Sequence, residues 1–318
     1  MASHVDPENP VRDCADVFLQ EPATLDPATY ADWALECATR HDISLVVVQR
    51  HATVLWAARQ RFEGRGIRLQ IAAAPDMRRI LDDKIAFQAD IAAPDVERRG
   101  VRGHAVHPFS TLAEFDAAWT AMTAAGLAQH GLCAKPASGI FGAGFRRIEE
   151  DTNEMARILS GDPDAEFRMS LAAYRSALSG AREPVRQLLM PFLPGLERSV
   201  DFVARDGDLL CAVVRAKTGK VQRLETSGPS VLMARVLADR YHLNGLCNLQ
   251  TREDSAGREA ILEINPRMSG GMAMSCLAGV NLPLMSVMAG LNRDVSGFAQ
   301  PTGGRFVKFH PVATIVPV

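Results

Sequence analysis

The sequence predicts an α/β protein, and three features along its 318 residues support this fold class. The first hundred residues alternate strand-like and helix-like segments, which is typical of parallel βαβ units. A strand, a glycine-rich loop and a second strand follow between Leu132 and Ile148. Three β-rich runs, a helix and a polar hairpin come next, so sheets are expected along the whole chain.

Chain length and punctuation predict more than one domain. A chain of 318 residues exceeds an ordinary domain of about 100 to 200 residues, and Pro94 with the stretch Gly100 to Gly103 indicates a connector. The predicted division is a Rossmann-like domain with its linker at residues 1–105, a middle unit at 106–190 and a C-terminal unit at 191–318. Because the alternation opens near Val17 to Leu19 without a G-x-G-x-x-G turn, the first strand of the Rossmann-like domain is expected to be missing.

Each element is predicted from its own periodicity and end signals. Apolar residues at helical spacing predict helices at residues 27–40, 54–62, 111–125 and 230–241. Short β-branched and apolar runs predict strands at residues 17–19, 43–48, 67–71, 132–135, 145–148, 185–192, 199–205 and 209–216, and a hairpin at 245–252 with 259–264. Asp82, Asp83 and Lys84 end one helical run and begin another.

Composition excludes several classes of protein. With 35 Lys and Arg against 37 Asp and Glu, the net charge of -2 gives no electrostatic reason to expect nucleic acid or an anionic membrane as partner. The six cysteines show neither a C-x-x-C pair nor zinc spacing, so reduced thiols are expected. The N-terminus lacks the features of a signal peptide, and no stretch approaches eighteen uninterrupted apolar residues. These features predict a cytoplasmic protein.

The late hairpin carries the strongest chemical signal. If its turn centres on Ser255 to Arg258, Gln250 lies directly opposite Glu263, and Asn265 lies on the same face because it is two residues further on. Magnesium prefers oxygen ligands and takes few of them from protein, so one carboxylate and two amides fit. Pro266 should end the strand and release Arg267 to clamp a phosphoryl oxygen.

A surface hairpin with incidental polar residues is the alternative, and it is the better interpretation of Gln250 alone. The combined set favours a site. The register decides the matter, because a slip of one residue would send Gln250 to the opposite face of the sheet.

The glycine-rich loop after Lys135 is a weaker candidate for phosphate binding. Lys135 ends a strand, and the loop offers one ammonium and several backbone N–H groups to a polyphosphate. The loop residues singled out are Gly139, Phe141, Gly142 and Gly144. It is not a P-loop, because the lysine precedes the glycines, and a loop of this kind is more often a plain turn.

The segment from Met190 to Asp201 is a candidate nucleotide contact. Met190, Phe192 and Leu193 could line one side of a purine, and Glu197 could accept hydrogen bonds from ribose hydroxyls. An edge strand with two prolines and a turn explains the segment equally well when it is read alone.

Taken in order, these pieces resemble the ATP-grasp superfamily. The similarity is greatest to the synthetase domains of the carbamoyl phosphate synthetase large subunit and to proteins linked to tellurite-resistance operons. It runs over roughly residues 81–284, and its most specific part is Gly245 to Gln250 followed by Glu263 to Gly271.

The resemblance implies an ATP-grasp fold, in which residues 106–190 form a lid and residues 191–318 carry the metal site. It implies that Lys84 and Lys135 contact phosphates and that the loop Gly139 to Gly144 closes over them. It implies adenine contacts from the backbone of Met190 to Leu193 and a ribose contact from Glu197. Many relatives carry an acidic residue where this chain has Pro191, so the adenine contact would rest on backbone and apolar groups.

The resemblance also implies the catalytic groups and the metal. Gln250, Glu263 and Asn265 would bind magnesium, with manganese as the alternative, and Arg267 would stabilise the transferred phosphoryl group. Arg215 and Lys217, on a strand facing the same cleft, are further candidates for the γ-phosphate or the acyl-phosphate.

The function implied is ATP-dependent activation of a carboxylate through an acyl-phosphate, most simply by an ADP-forming ligase that makes a C–N bond, or a bond to a thiol. Two alternatives stay open: a carbamoyl-phosphate-type kinase of a carboxylate or carbamate, and a non-catalytic ATP-binding regulatory module. The expected partners are a small carboxylate and a nucleophile, and the sequence identifies neither substrate. Whether the chain forms a homodimer is left open at this point.

Overall fold

The computed structural model describes residues 1–23, 26–139, 142–150, 154–161 and 164–310. The chain forms two compact units, Met1–Ile71 and Ala72–Val318. No helix within the described ranges is both long and apolar enough to cross a membrane. All six cysteines are free thiols, which agrees with the expectation from their spacing.

The first unit contains two pairs of parallel strands, three α-helices and a 3-10 helix (Pro10–Cys14) among its described residues. The strands are β1 (Ala2–His4), β2 (Phe18–Gln20), β3 (Leu45–Val47) and β4 (Arg68–Gln70), and β1 pairs with β2 and β3 with β4. The helices are α1 (Pro27–Arg40), α2 (Ala52–Ala57) and α3 (Arg59–Glu63). Their apolar side chains, Phe62 and Leu55 among them, form one core. The sequence did not predict β1, and the single helix predicted at residues 54–62 is two helices that meet at Ala58.

The second unit carries the remaining helices and two larger sheets. Its helices are α4 (Pro75–Asp82), α5 (Lys84–Ile91), α6 (Pro94–Glu97), α7 (Leu112–Ala124), α8 (Glu154–Leu159), α9 (Leu171–Ser179), α10 (Pro229–Arg240), α11 (Met272–Cys276) and α12 (Leu282–Gly290). Its strands are β5 (His107–Phe109), β6 (Leu132–Pro136), β7 (Arg146–Glu149), β8 (Arg168–Ser170), β9 (Gln187–Pro191), β10 (Glu197–Arg205), β11 (Asp208–Thr218), β12 (Val221–Glu225), β13 (Gly245–Glu253), β14 (Glu259–Asn265) and β15 (Phe306–Val307).

The six-stranded sheet has the order β14-β13-β10-β11-β12-β15 and is antiparallel throughout. One face is covered by apolar side chains of α4, α5 and α10, where Phe87, Phe202 and Leu237 are fully buried. The other face is divided. Part of it packs against α11 and α12, and the rest presents polar side chains to a cleft.

The five-stranded sheet has the order β5-β9-β6-β7-β8. Its outer face packs against α7 and α9 through Phe109, Phe115 and Tyr174. Its inner face presents Cys133, Leu188 and Met190, which pack with Leu262 of the six-stranded sheet. Alternate residues of β6 and β9 therefore serve a core on one side and the cleft on the other.

Helix ends follow the local hydrogen-bonding chemistry. Asp83 interrupts the run between α4 and α5 because its carboxylate accepts hydrogen bonds from the N–H groups of Ile85 and Ala86, at 2.9 and 3.1 Å. Thr111 and Glu114 form a capping box at the start of α7. The predicted break at Asp83 is thus confirmed, and it places Lys84 on the first turn of α5.

Candidate active site

A cleft of about 580 Å³ lies between the two larger sheets, and its size is typical of small-molecule sites. Most of the predicted site residues line it: Lys84, Lys135, Gly139, Gly142, Met190, Phe192, Leu193, Glu197, Lys217, Gln250, Glu263, Asn265 and Arg267. Among the described residues, Gly144 and Arg215 are not part of its lining. Phe141 lies outside the described residues.

The hairpin β13–β14 places Gln250 opposite Glu263, as the numbering predicts. The predicted turn was nevertheless wrong by one residue, because Glu253 pairs with Glu259 across a loop that includes Asp254. The Asp254 carboxylate fixes this loop by accepting hydrogen bonds from the N–H groups of Ala256 and Arg258, each at 2.9 Å. A β-bulge corrects the offset, because Thr251 pairs with Ile261 and Leu262 is left as the extra residue.

The polar side chains of the hairpin contact one another. Asn265 Nδ2 donates to Glu263 Oε1 at 3.2 Å, and Arg267 Nη2 donates to Asn265 Oδ1 at 3.3 Å. The ammonium of Lys84 lies 3.5 Å from Glu263 Oε2. Strand β14 ends at Asn265, so Pro266 follows the strand and Arg267 lies at the edge of the cleft, as predicted.

The donor set of this face fits a hard cation. Gln250, Glu263 and Asn265 offer one carboxylate and two amide oxygens, which is the small number of oxygen ligands that magnesium takes from proteins. In the described part of the chain, no three His, Cys, Asp or Glu residues are grouped to hold a metal ion. The Glu263 carboxylate has a lysine as neighbour, which a bound cation would displace or share.

Two lysines approach the polar part of the cleft from different elements. Lys84 Nζ donates to the carbonyl of Gly139 at 3.0 Å, so the start of α5 holds the glycine-rich loop. Burial lowers the pKa of the Lys135 ammonium to about 8, although the nearby Glu263 carboxylate opposes this shift. Burial, followed by the charge of Lys135, lowers the pKa of the His104 imidazole to about 3. The neutral form of His104 is therefore favoured, and His104 is not among the residues that line the cleft.

The glycine-rich loop uses backbone conformations that only glycine adopts readily. Gly139, Gly142 and Gly144 have φ of +137°, +65° and +78°. At Gly144 space is also short, because a Cβ would lie 2.8 Å from Pro136 Cγ. Gly144 therefore shapes the loop from outside the cleft.

The other part of the cleft is apolar, and it is built from both sheets. Cys133 and Met190 come from the five-stranded sheet, and the bulge residue Leu262 comes from β14. The backbone N–H of Phe192 donates to the carbonyl of Gly131 at 3.0 Å. That N–H is consequently occupied within the protein.

Glu197 stands at the start of β10 among cations. Its carboxylate is hydrogen-bonded by Lys217 Nζ and lies 3.5 Å from Arg252 Nη1. Strand register explains the grouping, because Glu197 pairs with Lys217 on one side and with Arg252 on the other. Arg252 and Arg147 also place their guanidinium groups over the Phe192 ring, at 5.1 and 4.1 Å from its centroid.

Arg215 is on the same strand and the same face as Lys217, but it is only 4% exposed. Its guanidinium is hydrogen-bonded to side chains beneath the loop that follows β14. The structure therefore brings Lys217 to the cleft and leaves Arg215 below it.

Several lining residues were not predicted. Asn248 and Arg252 have the same parity as Gln250 on β13, so strand alternation could have identified both, whereas Arg147 lies on β7, where no site residue had been predicted. Leu262 could not have been found in this way, because it enters the cleft through a bulge that the sequence pattern does not reveal.

Comparison with known proteins agrees with this geometry. Residues 183–308, less than half of the chain, match a family model described as ATP-grasp in the biosynthetic pathway with Ter operon. No curated protein matches the sequence.

Solved structures with similar folds extend over nearly the whole chain. An N5-carboxyaminoimidazole ribonucleotide synthetase in complex with ADP is 13% identical, with a TM-score of 0.64 over 96% of this chain and 72% of that one. The biotin carboxylase domain of 2-oxoglutarate carboxylase from Hydrogenobacter thermophilus, solved as a dimer with MgADP, ADP and bicarbonate, is 14% identical, with a TM-score of 0.59 over 93% of this chain and 64% of that one. An L-amino acid ligase from Bacillus licheniformis is 14% identical, with a TM-score of 0.54 over 90% of this chain and 64% of that one.

The chain therefore has the ATP-grasp fold, in a mixed α/β arrangement of parallel and antiparallel strands. The resemblance to ATP-grasp proteins associated with tellurite operons is confirmed by the family model. The chain spans less than two thirds of two of these three relatives, so their activities and substrates do not transfer to it directly.

Proposed function

We propose that this chain is an ATP- and magnesium-dependent enzyme that activates a carboxylate as an acyl-phosphate and passes the acyl group to an amine, or alternatively to a thiol. The observation that carries the proposal is the meeting of Glu263, Asn265, Lys84 and Arg267 in one connected set of contacts at the polar part of the cleft. An apolar part of the same cleft, which has a volume of about 580 Å³ in all, adjoins it. A nucleoside triphosphate has this same division into an apolar base and a charged polyphosphate.

The proposed chemistry needs positioning and charge neutralisation more than a protein base. A carboxylate oxygen attacks the γ-phosphorus, the bond to the β-phosphate oxygen breaks, and ADP leaves. The nucleophile then attacks the carbonyl carbon, phosphate leaves, and the proton of the nucleophile passes to solvent or phosphate. Glu263, Asn265 and Gln250 would hold magnesium, which supplies charge neutralisation on the phosphates when bound.

The protein groups each have a proposed part in that reaction. Lys84 and Lys135 would bind phosphate oxygens, and Arg267 would stabilise charge on the transferred phosphoryl group. Glu197 would accept hydrogen bonds from the ribose hydroxyls while its carboxylate also accepts one from Lys217. Met190, Phe192, Leu193 and the glycine-rich loop would enclose the rest of the nucleotide.

The similar structures support this reaction class. They include a synthetase in complex with ADP, a biotin carboxylase domain with MgADP, ADP and bicarbonate, and a ligase of L-amino acids. We further propose the division into residues 1–105, a lid at 106–190 and a metal-binding part at 191–318. The dimer of the similar biotin carboxylase domain supports testing this chain for a homodimer.

The test is release of ADP by the purified chain with ATP and magnesium, in a panel of carboxylic acids with and without amines or thiols. An acid that stimulates ADP release, and a matching conjugate in the mass spectrum, is the expected result. Glu263→Gln should abolish the stimulated release, whereas Glu183→Gln, at an exposed site outside the cleft, should not. If Glu263→Gln turns over like the parent chain, the metal assignment is wrong.

A kinase that stops at the phosphorylated acid is the second candidate, and the bicarbonate in one similar structure favours it. Trapping with hydroxylamine separates the two. A kinase gives the same yield of hydroxamate with and without an amine, whereas a ligase gives less when its amine is present. Nucleotide binding without ADP release for any acid would instead support the non-catalytic module.

A further inference from the structure

Strand β11 carries Arg215 and Lys217 two residues apart, so strand geometry directs both side chains to the same face of the six-stranded sheet. Lys217 reaches the cleft, whereas Arg215 is buried beneath residues 267–271, which we call the phosphoryl loop because Arg267 begins it. A side chain that does not line the cleft does not contact a phosphate there. Arg215 therefore needs a different role from the one that the resemblance implies.

The guanidinium of Arg215 connects three strands to the phosphoryl loop and to α11. Its hydrogen-bond acceptors, at 2.9 to 3.2 Å, are Asp201 Oδ2, Ser275 Oγ, Gln222 Oε1, Ser199 Oγ and Ser269 Oγ. Ser269 belongs to the loop, and Ser275 belongs to the helix that follows it. An arginine suits this set of acceptors because its five N–H donors are held in a rigid planar group. The ammonium of a lysine has fewer donors and a flexible stem.

The backbone of the loop passes directly over this guanidinium. A Cβ at Gly271 would lie 2.2 Å from Arg215 Nη1 and 2.3 Å from Cζ. The φ of Gly271 is -93°, which any residue adopts, so glycine is required here by the close approach and not by the backbone conformation. The loop and the guanidinium are therefore packed as one unit.

The same network reaches the strand that carries the metal ligands. Asp201 is fully buried, and its carboxylate accepts hydrogen bonds from Arg215 Nε at 2.9 Å, Ser275 Oγ at 2.5 Å and Asn248 Nδ2 at 2.8 Å. Asn248 pairs with Asn265 in the hairpin register. Both ends of the segment from Asn265 to Gly271 thus rest on one buried polar layer.

We propose that Arg215 is a positioning residue that fixes the phosphoryl loop and thereby aims Arg267 at the transferred phosphoryl group. The role of Arg267 in this statement rests on the proposed function, whereas the fixing of the loop does not. An interaction that aims a group used only in the transition state should affect kcat and leave the KM for ATP nearly unchanged.

The experiment compares two partners of the same guanidinium. Ser275→Ala removes a contact on the loop side, and Gln222→Met removes one on β12, away from the loop. Ser275→Ala should lower kcat for ADP release about tenfold because Arg267 loses its alignment, with KM for ATP changed by less than about twofold. Gln222→Met should leave both constants within about twofold of the parent chain. Equal losses in the two variants would assign Arg215 a general structural role and overturn the proposal.

A double-mutant cycle tests the route through Arg267. In an Arg267→Ala background, Ser275→Ala should cause no further loss beyond about twofold, because the group it positions is gone. A full tenfold loss in that background would overturn the proposal. Arg215→Lys is the conservative variant. It should retain part of kcat, because a lysine can keep some of the hydrogen bonds to the loop but not all of them.

Hydrogen exchange gives a readout that needs no activity. Peptides covering the phosphoryl loop should exchange about threefold faster or more in Ser275→Ala than in Gln222→Met, since a lost hydrogen bond changes local opening by roughly that factor. If no acid stimulates ADP release, the proposed function fails, and this measurement still decides the fixing of the loop. Equal exchange in the two variants would show that Arg215 does not hold the loop.

Discussion

The polar and apolar parts of the cleft are assembled in different ways. Lys84, Glu263, Asn265 and Arg267 are joined by side-chain contacts of 3.2 to 3.5 Å, three of them within one hairpin and its end. The apolar part is gathered by packing from two sheets, with Cys133, Met190 and Leu262 as its centre. The polar part therefore depends on strand register, and the apolar part depends on how the two sheets face each other. We therefore expect changes in the polar part to act on kcat and changes at the nucleotide side to act on KM.

The largest effect is expected at Glu263. Glu263→Gln removes the only carboxylate of the predicted metal face while keeping its size, so kcat for ADP release should fall about a thousandfold. The measurement is steady-state kinetics at several magnesium concentrations, with circular dichroism to verify folding. The matched Glu183→Gln variant should be unchanged, and a Glu263→Gln enzyme with parental kcat would refute the division between the two parts.

A smaller loss is expected at Lys135, and it carries a pH dependence. The lysine acts as a cation, and its pKa in the folded protein is about 8, so kcat/KM should be full below that pH and fall as the pH rises through it. Lys135→Met should lose about a hundredfold in kcat/KM and lose this alkaline limb. Lys135→Arg should move the fall to higher pH, because the guanidinium keeps its proton.

Lys220→Met is the control for Lys135, since Lys220 is exposed and lies outside the cleft. It should preserve both the rate and the alkaline fall. A fall near pH 8 that persists in Lys135→Met would assign the titration to another group.

At Glu197 the expected effect is on nucleotide affinity. If Glu197 binds the ribose as proposed, Glu197→Gln would weaken a charge-assisted hydrogen bond, so KM for ATP should rise about tenfold while kcat stays within about twofold. Because Glu197 also pairs with Lys217, the ribose contact is isolated by using 2′-deoxy-ATP. The parent enzyme should discriminate against 2′-deoxy-ATP, and the variant should not. Equal discrimination in both would exclude a ribose contact from Glu197.

The comparison of the two parts also explains how much the sequence could predict. The hairpin register was predicted correctly at Gln250 although the turn was off by one residue, since the bulge at Leu262 cancelled the error. The strands of two to five residues at β1, β5, β8, β12 and β15 were missed, because such short runs show little periodicity and are defined by their partners. Helix α1 was predicted to the residue, as Asp26 caps it and Pro27 begins it.

The sequence pattern did not show how deeply individual side chains of one sheet face are buried. Arg215 and Lys217 point to the same face of β11. They differ because the loop at Gly271 covers the Arg215 guanidinium, whereas Lys217 lines the cleft. Likewise, His104 has no spacing motif, and its burial follows from the packing of a connector on β14, where the Ile261 N–H donates to the carbonyl of Arg102. Contacts made across long sequence separations of this kind are not visible in local pattern.

The smallest expected effect concerns the glycine-rich loop, and it joins the two parts. Lys84 contacts both the carbonyl of Gly139 and, at 3.5 Å, Glu263, so the loop and the metal face share one cation in this structure. Mg·ATP would draw Lys84 and the loop N–H groups onto phosphate oxygens, which should slow elastase cleavage between Ala137 and Phe145 by about threefold to tenfold. Trypsin cleavage at the exposed Arg182 serves as the internal control and should not change. In Glu263→Gln the protection should disappear even at saturating ATP, because in the proposed reaction the loop would close on a metal-bound polyphosphate. Protection that survives this change would mean that the loop responds to the nucleotide alone and that the two parts of the cleft act independently.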